Sequence, residues 1–238
     1  MPWDLWLIFL VLGVVVPWRG RIRLRELLAK PHIGAAERVS LYVSTIAFQW
    51  FAAGVVGWRA WAHGFHAAEL GFVVNSRWKI ALVSIAGAGV MATLHWLNLR
   101  RMGRPGTKVP EALRALAECI LPQSTVEMPL FFAMAVTAGV CEEFIYRGFA
   151  MAAFTRTGLP GWIVILISSV LFGLAHLYQG RGGFLGTMIL GGLFGAVRIG
   201  YDSLVPAVLW HVAVDVVAGV AGPRYLAHAT VSAVESVT

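Results

Sequence analysis

The chain has 238 residues, of which 58% are hydrophobic and only 13% are charged. A soluble domain usually has about 25% charged residues, because its surface must be covered with polar groups. The composition therefore excludes a soluble globular domain, and it equally excludes a disordered chain or a disulfide-stabilised secreted scaffold. With a mean hydropathy of +0.74, the sequence predicts a polytopic membrane protein.

The net charge of +7 is compatible with an anionic partner, and the positions of the basic residues indicate which kind. Eleven of the 19 lysines and arginines fall in two connectors between apolar segments, 19–38 and 100–114. There they can contact anionic lipid headgroups or fulfil the positive-inside rule. No nucleic-acid recognition motif accompanies the charge. We therefore expect the lipid bilayer, and no nucleic acid, as the partner of these basic residues.

Seven hydrophobic segments are candidates for membrane-spanning helices, which need roughly 20 apolar residues to cross the hydrocarbon core. They are residues 3–18, 39–58, 80–99, 128–154, 157–180, 183–198 and 204–222. We predict an all-α transmembrane helical bundle of about seven spans. A short interfacial helix from Glu111 to Leu121 is predicted in the connector before the fourth span, since its apolar residues fall on one side.

Ionisable side chains inside apolar spans are costly and usually mark function or a buried pair. In this chain they are concentrated in the later spans: Glu142, Glu143, Arg147, His176, His211 and Asp215. Carboxylates and imidazoles that converge from three helices can activate a water molecule, because a glutamate can act as its general base. A zinc ion held by His and Glu would lower the pKa of bound water to about 7. The HExxH pattern is absent, so such a metal site would be assembled across helices.

The spacing within each helix predicts which of these groups are neighbours. Glu143 and Arg147 are four residues apart and share a helix face, whereas Glu142 points away from Arg147. Glu142 is therefore free to face another group. His211 and Asp215 have the same spacing, so Asp215 can orient the imidazole or assist its charge.

Three motifs in this region resemble those of the CPBP membrane proteases, a family that includes the CAAX prenyl endopeptidases and the bacterial Abi proteins. In chain order they are EExxxR at 142–147, FxxxH at 172–176 and HxxxD at 211–215. A glycine-rich segment at 191–195 and the Asp-Ser-Leu turn at 202–204 are also similar to the family pattern. The resemblance covers roughly 125–222.

This resemblance implies an intramembrane endopeptidase that hydrolyses peptide bonds of membrane-associated proteins or peptides, as in CAAX processing. The chain then divides into N-terminal helices with basic connectors (1–124), a protease core (125–222) and a C-terminal tail (223–238). We expect an integral, multi-pass protein of a prokaryotic plasma membrane. Its oligomeric state is left open.

The resemblance also implies roles for the residues of the first two motifs. Glu142 would activate the water, with help from His176. The pair formed by Glu143 and Arg147 would brace the activating glutamate.

For the third motif, at 211–215, the resemblance implies either a metal site or an oxyanion site. His211 with Asp215 would bind a metal or stabilise the oxyanion. The family's mechanism is described both as metal-dependent and as glutamate-based. Of the two, we expect a divalent metal, zinc, held by Glu142, His176 and His211.

Two other classes of protein are compatible with the same residues. Buried Glu, His and Asp side chains serve proton transfer, so a membrane transporter or a proton relay is one alternative. A paired helix break in two related halves would favour a transporter, and the sequence has none. A non-catalytic membrane scaffold that keeps the fold is the second alternative.

Overall fold

A computed structural model of the chain describes residues 1–30 and 33–227. Within these residues the regular structure is helical, as the sequence predicts. The helices, in chain order, are α1 (Trp3–Leu28), α2 (Ala35–Ala62), α3 (Arg77–Met102), α4 (Glu111–Ile120), α5 (Met128–Thr155), α6 (Gly161–Ala175), α7 (Leu177–Tyr201) and α8 (Val205–Leu226).

In the part of the chain that the structure describes, six helices are long and apolar enough to cross a membrane: α1, α2, α3, α5, α7 and α8. This number is close to the predicted seven and makes the chain an integral membrane protein. The predicted span 157–180 is wrong in its length, because α6 ends at Ala175. His176 leaves the helix with φ −97° and ψ 9°. The first residues of α7, Leu177–Gln179, form a 3-10 turn, and α-helical winding begins at Gly180, whose φ of +82° suits glycine.

The first helix is longer than predicted, and the remaining boundaries agree better. α1 continues past the predicted end at 18 to Leu28, because the arginines that follow have high helix propensity. A helix is confirmed in the connector before the fourth predicted span as α4, which buries Leu116, Ala117 and Cys119. Residues 223–226 of the predicted tail continue α8, and 228–238 lie outside the described residues.

α5 is the central helix of the bundle. Its segment Met128–Glu143 packs against α2 and α8, and the segment that follows, to Thr155, contacts α2, α6 and α7. Of its most apolar 18-residue window, 44% is buried inside the protein, more than in any other candidate span. Glu143 and Arg147, the charged pair on α5, are completely buried among these helices.

The connector between α2 and α3 folds back onto the turn between α7 and α8. The Leu204 amide donates a hydrogen bond to the Gly71 carbonyl at 2.9 Å, and Arg198 donates to the Glu69 carbonyl at 2.8 Å. Gly71 has φ +82°, and Arg198 approaches so closely that a side chain on Gly71 would collide with it. These contacts fix the start of α8, and with it the depth of the side chains that α8 carries.

Candidate active site

The backbone of α5 changes its winding beside the two glutamates. Residues Met128–Glu143 are α-helical, and Phe144–Ala150 form a π-helical stretch. π-helical turns are rare and occur frequently at functional sites. Ser168 of α6 donates a hydrogen bond to the Tyr146 carbonyl at 2.8 Å, which ties this stretch to α6. The stretch determines where the side chains beyond Glu143 point.

Glu143 is the buried centre of a three-residue network. Arg147 Nη1 donates to Glu143 Oε1 at 2.9 Å, and neither side chain is exposed. The pair predicted from the four-residue spacing is thus present. His211 Nδ1 lies 2.8 Å from the same oxygen, and it donates because an ionised carboxylate oxygen can only accept. Glu143 therefore joins α5 to α8.

The guanidinium of Arg147 is held by an aromatic ring as well as by Glu143. Its Cζ lies 4.1 Å from the centre of the Phe172 ring, a cation–π arrangement. Arg147 Nε and Nη2 have no hydrogen-bond partner among the described residues. Gly191 of α7 leaves the space for this group, because a Cβ at Gly191 would lie 2.7 Å from Nη2.

Glu142 faces away from Arg147, as predicted, and its two oxygens have different surroundings. Oε1 accepts a hydrogen bond from Gln49 Nε2 of α2 at 2.7 Å. Oε2 is buried and has no hydrogen-bond partner in the described ranges. It lies 3.9 Å from His176 Nε2 and 4.0 Å from His211 Nε2. Glu142, on α5, thus faces Gln49 on α2, His211 on α8 and His176 at the end of α6.

The orientation of His176 follows from its backbone contact. His176 Nδ1 lies 2.9 Å from the Phe172 carbonyl, which can only accept, so Nδ1 carries the proton. The Nε2 lone pair of the neutral ring is then directed toward Glu142. The His176 ring also packs on Phe172, with ring centres 4.6 Å apart. This explains the FxxxH spacing, because Phe172 supplies both the acceptor and the packing surface.

Asp215 is the outermost of the six predicted site residues. Its Oδ2 lies 3.6 Å from His211 Nε2, too far for a hydrogen bond, and the side chain is 34% exposed. Of the two roles predicted for Asp215, orienting the imidazole falls to Glu143, through Nδ1, while Asp215 lies within ion-pair distance of Nε2, where it can assist the charge of the ring. The reason is that His211 turns Nδ1 toward α5, where the buried carboxylate is closer than the one a turn away.

The predicted metal ligands Glu142, His176 and His211 do not close around an ion in this arrangement. Ligands of a tetrahedral zinc ion lie about 3.3 Å from one another, because each is about 2.0–2.1 Å from the metal. The separations of 3.9 and 4.0 Å at Glu142 Oε2 are wider. Within the described residues, no group of three or more His, Cys, Asp or Glu side chains is placed to hold a metal ion.

Gln49 is a site residue that the sequence reasoning missed. It lies in the charge-free span 39–58, whose composition predicts only a membrane helix. A signal was available, because Gln49 is the only carboxamide in that span and such groups are costly in an apolar segment. The bond between Glu143 and His211 was also missed, since nothing within one helix indicates it.

A scan against protein-family models matches residues 124–217 to the family described as type II CAAX prenyl endopeptidase Rce1-like. We call residues 124–217, which are similar to this family, the Rce1-like region. All six predicted site residues lie in this Rce1-like region, whereas Gln49 lies outside it. The match confirms the resemblance drawn from the three motifs. Comparison with curated proteins and with solved structures gave no match.

Proposed function

We propose that this chain is an intramembrane endopeptidase that hydrolyses a peptide bond of membrane-associated proteins or peptides, as in CAAX processing. The family of the Rce1-like region supports protease activity. The observation that carries the proposal concerns Glu142 Oε2, a buried carboxylate oxygen that faces two imidazole nitrogens and has no hydrogen-bond partner in residues 1–30 and 33–227.

The spacing around Glu142 Oε2 suits a single water molecule. Hydrogen bonds to water oxygen are about 2.7–3.0 Å long, so one water can bridge two acceptor or donor atoms that lie about 4 Å apart. The separations from Glu142 Oε2 to His176 Nε2 and His211 Nε2 are 3.9 and 4.0 Å. A water placed there would contact the carboxylate and both rings at once.

In the proposed reaction Glu142 is the general base. It accepts a proton from the bridging water while the water oxygen attacks the carbonyl carbon of the substrate peptide bond. His176 Nε2 accepts a hydrogen bond from the second hydrogen of the water and so orients it. The carbon–nitrogen bond then breaks, and the proton on Glu142 passes to the departing amine.

His211 is placed to act on the oxygen that becomes negatively charged. Its Nδ1 is held by Glu143, and that bond directs Nε2 toward the same space as Glu142 Oε2. When Nε2 carries a proton, it can donate a hydrogen bond to the oxyanion of the tetrahedral intermediate. Glu143 and Arg147 hold this ring and the backbone of α5 in place.

The test is cleavage of a farnesylated CAAX peptide by the purified chain in proteoliposomes, with the products identified by mass spectrometry. Glu142→Gln removes the base and keeps the shape, so we expect the rate to fall by about 10²–10⁴-fold. Glu111→Gln, on the exposed side of α4, is the matched control and should retain the wild-type rate. An uncleaved peptide, or an undiminished rate with Glu142→Gln, would overturn the proposal.

Peptide cleavage also separates this proposal from its alternatives. A proton relay would lose function with Glu142→Gln, but it would release no peptide fragment before or after the substitution. A non-catalytic scaffold would be insensitive to Glu142→Gln as long as the variant accumulates normally.

A further inference from the structure

Gln49 lies on the face of α2 that packs against α5. Ala53, Val56 and Ala60 follow it at helical spacing and are buried. These buried positions of α2 are all apolar, so packing against α5 does not require an amide at position 49. A carboxamide in an apolar environment costs free energy unless its hydrogen bonds are made. The position of Gln49 therefore requires a specific polar partner.

That partner is Glu142. Gln49 Nε2 donates to Glu142 Oε1 at 2.7 Å, a length typical of a charge-assisted hydrogen bond. Gln49 Oε1 is buried and has no hydrogen-bond partner in the part of the chain that is described. The carboxamide thus makes its one observed hydrogen bond to the carboxylate, and no other polar group of the described residues fixes it.

The bond determines which oxygen of Glu142 is available for chemistry. A carboxylate can rotate about its last torsion and exchange its two oxygens. With Oε1 held by α2, Oε2 is the oxygen directed toward His176 and His211. Without this contact, Glu142 would populate orientations in which neither oxygen faces both rings.

We propose that Gln49 is a positioning residue, which fixes the Glu142 carboxylate so that Oε2 faces the two histidines. This inference rests on the proposed role of Glu142 as the base. It extends the catalytic site from the Rce1-like region to α2, in the N-terminal part of the chain. Gln49 acts through Glu142 and does not touch the reacting atoms.

The first measurement is peptide cleavage by Gln49→Leu and by Gln49→Met, which remove the donor but suit an apolar helix face. Displacement of a catalytic group commonly costs up to about 10²-fold. We expect kcat to fall about ten- to a hundredfold, with KM changed less than about twofold, because only the base is misplaced. Gln123→Leu is the matched control, since its amide donates to the Leu121 carbonyl and not to the site. An unchanged kcat, or a rise in KM alone, would refute the positioning role.

A second measurement does not depend on catalysis. Dicyclohexylcarbodiimide labels protonated carboxyl groups in apolar surroundings, and mass spectrometry can resolve labelling at Glu142 from labelling at Glu143. Loss of the Gln49 hydrogen bond releases the Glu142 carboxylate, so the fraction of Glu142 labelled in a fixed time at one pH should be higher in Gln49→Leu than in the wild type or in Gln123→Leu. His176, His211, Glu143, Arg147 and Asp215 also surround this carboxylate, and they are the same in every variant.

The two measurements separate failure of this inference from failure of the proposed function. If Glu142→Gln still cleaves the peptide, or if the wild type cleaves nothing, the proposed function fails. Labelling at Glu142 then still shows whether Gln49 holds the carboxylate. If Glu142→Gln is inactive while Gln49→Leu matches Gln123→Leu in kcat and in labelling, only the role of Gln49 is overturned.

Discussion

His211 Nδ1 donates a hydrogen bond to Glu143 Oε1 at 2.8 Å and so joins α8 to α5. The same oxygen accepts from Arg147, so Oε1 of Glu143 holds two side chains, whereas its Oε2 has no hydrogen-bond partner among the described residues. Glu142, the preceding residue, holds Oε1 in a bond to Gln49 and turns Oε2, which has no hydrogen-bond partner within the described ranges, toward the two histidines. The two glutamates therefore have separate roles, one structural and one proposed to be chemical.

This division predicts that Glu143→Gln is far more destabilising than Glu142→Gln. Removing the charge of Glu143 leaves the buried Arg147 uncompensated, which typically costs about 3–5 kcal/mol. We expect a much lower melting temperature in detergent for Glu143→Gln and a nearly unchanged one for Glu142→Gln. The double variant Glu143→Leu with Arg147→Met should recover stability, since apolar side chains can replace a buried pair. Equal melting temperatures for the two single variants would contradict this assignment.

Two adjacent glycines of α7 give a matched test of the space around Arg147. A Cβ at Gly191 would lie 2.7 Å from Arg147 Nη2 and 3.2 Å from Ser169 Cα, whereas one at Gly192 would have its nearest neighbour at 3.8 Å. Overpacking of this kind typically costs about 1–3 kcal/mol. We expect Gly191→Ala to unfold at lower temperature and Gly192→Ala to be neutral or slightly stabilising. The reverse order would show that α7 does not pack on Arg147 in this way.

The ion pair between Glu69 and Arg156 predicts a pH effect outside the spans. Hydrogen bonding from Arg156 lowers the pKa of Glu69 from 4.5 to about 2. Because this value is below that of the unfolded chain, the pair stabilises the protein above about pH 4.5, and the contribution is lost as the pH falls toward 2. Both side chains are about one-third exposed, so we expect no more than about 1 kcal/mol.

The measurement is the difference in melting temperature between the wild type and Glu69→Gln, followed from neutral to acidic pH. The difference should be largest at neutral pH and should shrink as the solution is acidified. Glu111→Gln, which alters an exposed carboxylate of α4, should show no comparable change. A difference that grows on acidification would have the wrong sign for this ion pair.

The zinc site predicted from the resemblance can be tested by metal analysis of the purified chain. The donor spacing at Glu142 suits a water molecule better than an ion, so we expect peptide cleavage to survive treatment with a strong chelator. We also expect zinc well below one ion per chain. Stoichiometric zinc that is lost in His176→Ala, together with activity, would support the metal-dependent mechanism instead.

Sequence reasoning succeeded where one helix contains all the relevant information. The pairing of Glu143 with Arg147, and the opposite direction of Glu142, follow from 100° per residue alone. It failed where the rotation of two helices against each other decides the contact. Asp215 is nearer to His211 in sequence, but α8 is oriented so that Nδ1 of the imidazole forms its hydrogen bond with Glu143 on α5.

The fold was predicted in outline from hydropathy, and its exceptions have local causes. Hydropathy detects apolar composition but not the end of a helix within an apolar segment. It therefore predicts a single span over 157–180. The structure ends α6 at Ala175, and the 3-10 turn Leu177–Gln179 follows. Gln49 was overlooked for a related reason: one amide barely changes the hydropathy of a span, although its partner on α5 makes it part of the site.

The shortness of α6 has a consequence for the lipid around it. Its 15 residues measure about 22 Å, less than the roughly 30 Å thickness of a bilayer's hydrocarbon core. Trp162 and Leu166 are exposed on this helix. Acyl chains there must shorten or tilt to match it, which thins the membrane locally. Because α6 ends next to His176, the thinned membrane lies beside the proposed catalytic groups, and it would bring headgroups and bulk solvent closer to the peptide bond that we propose is hydrolysed there.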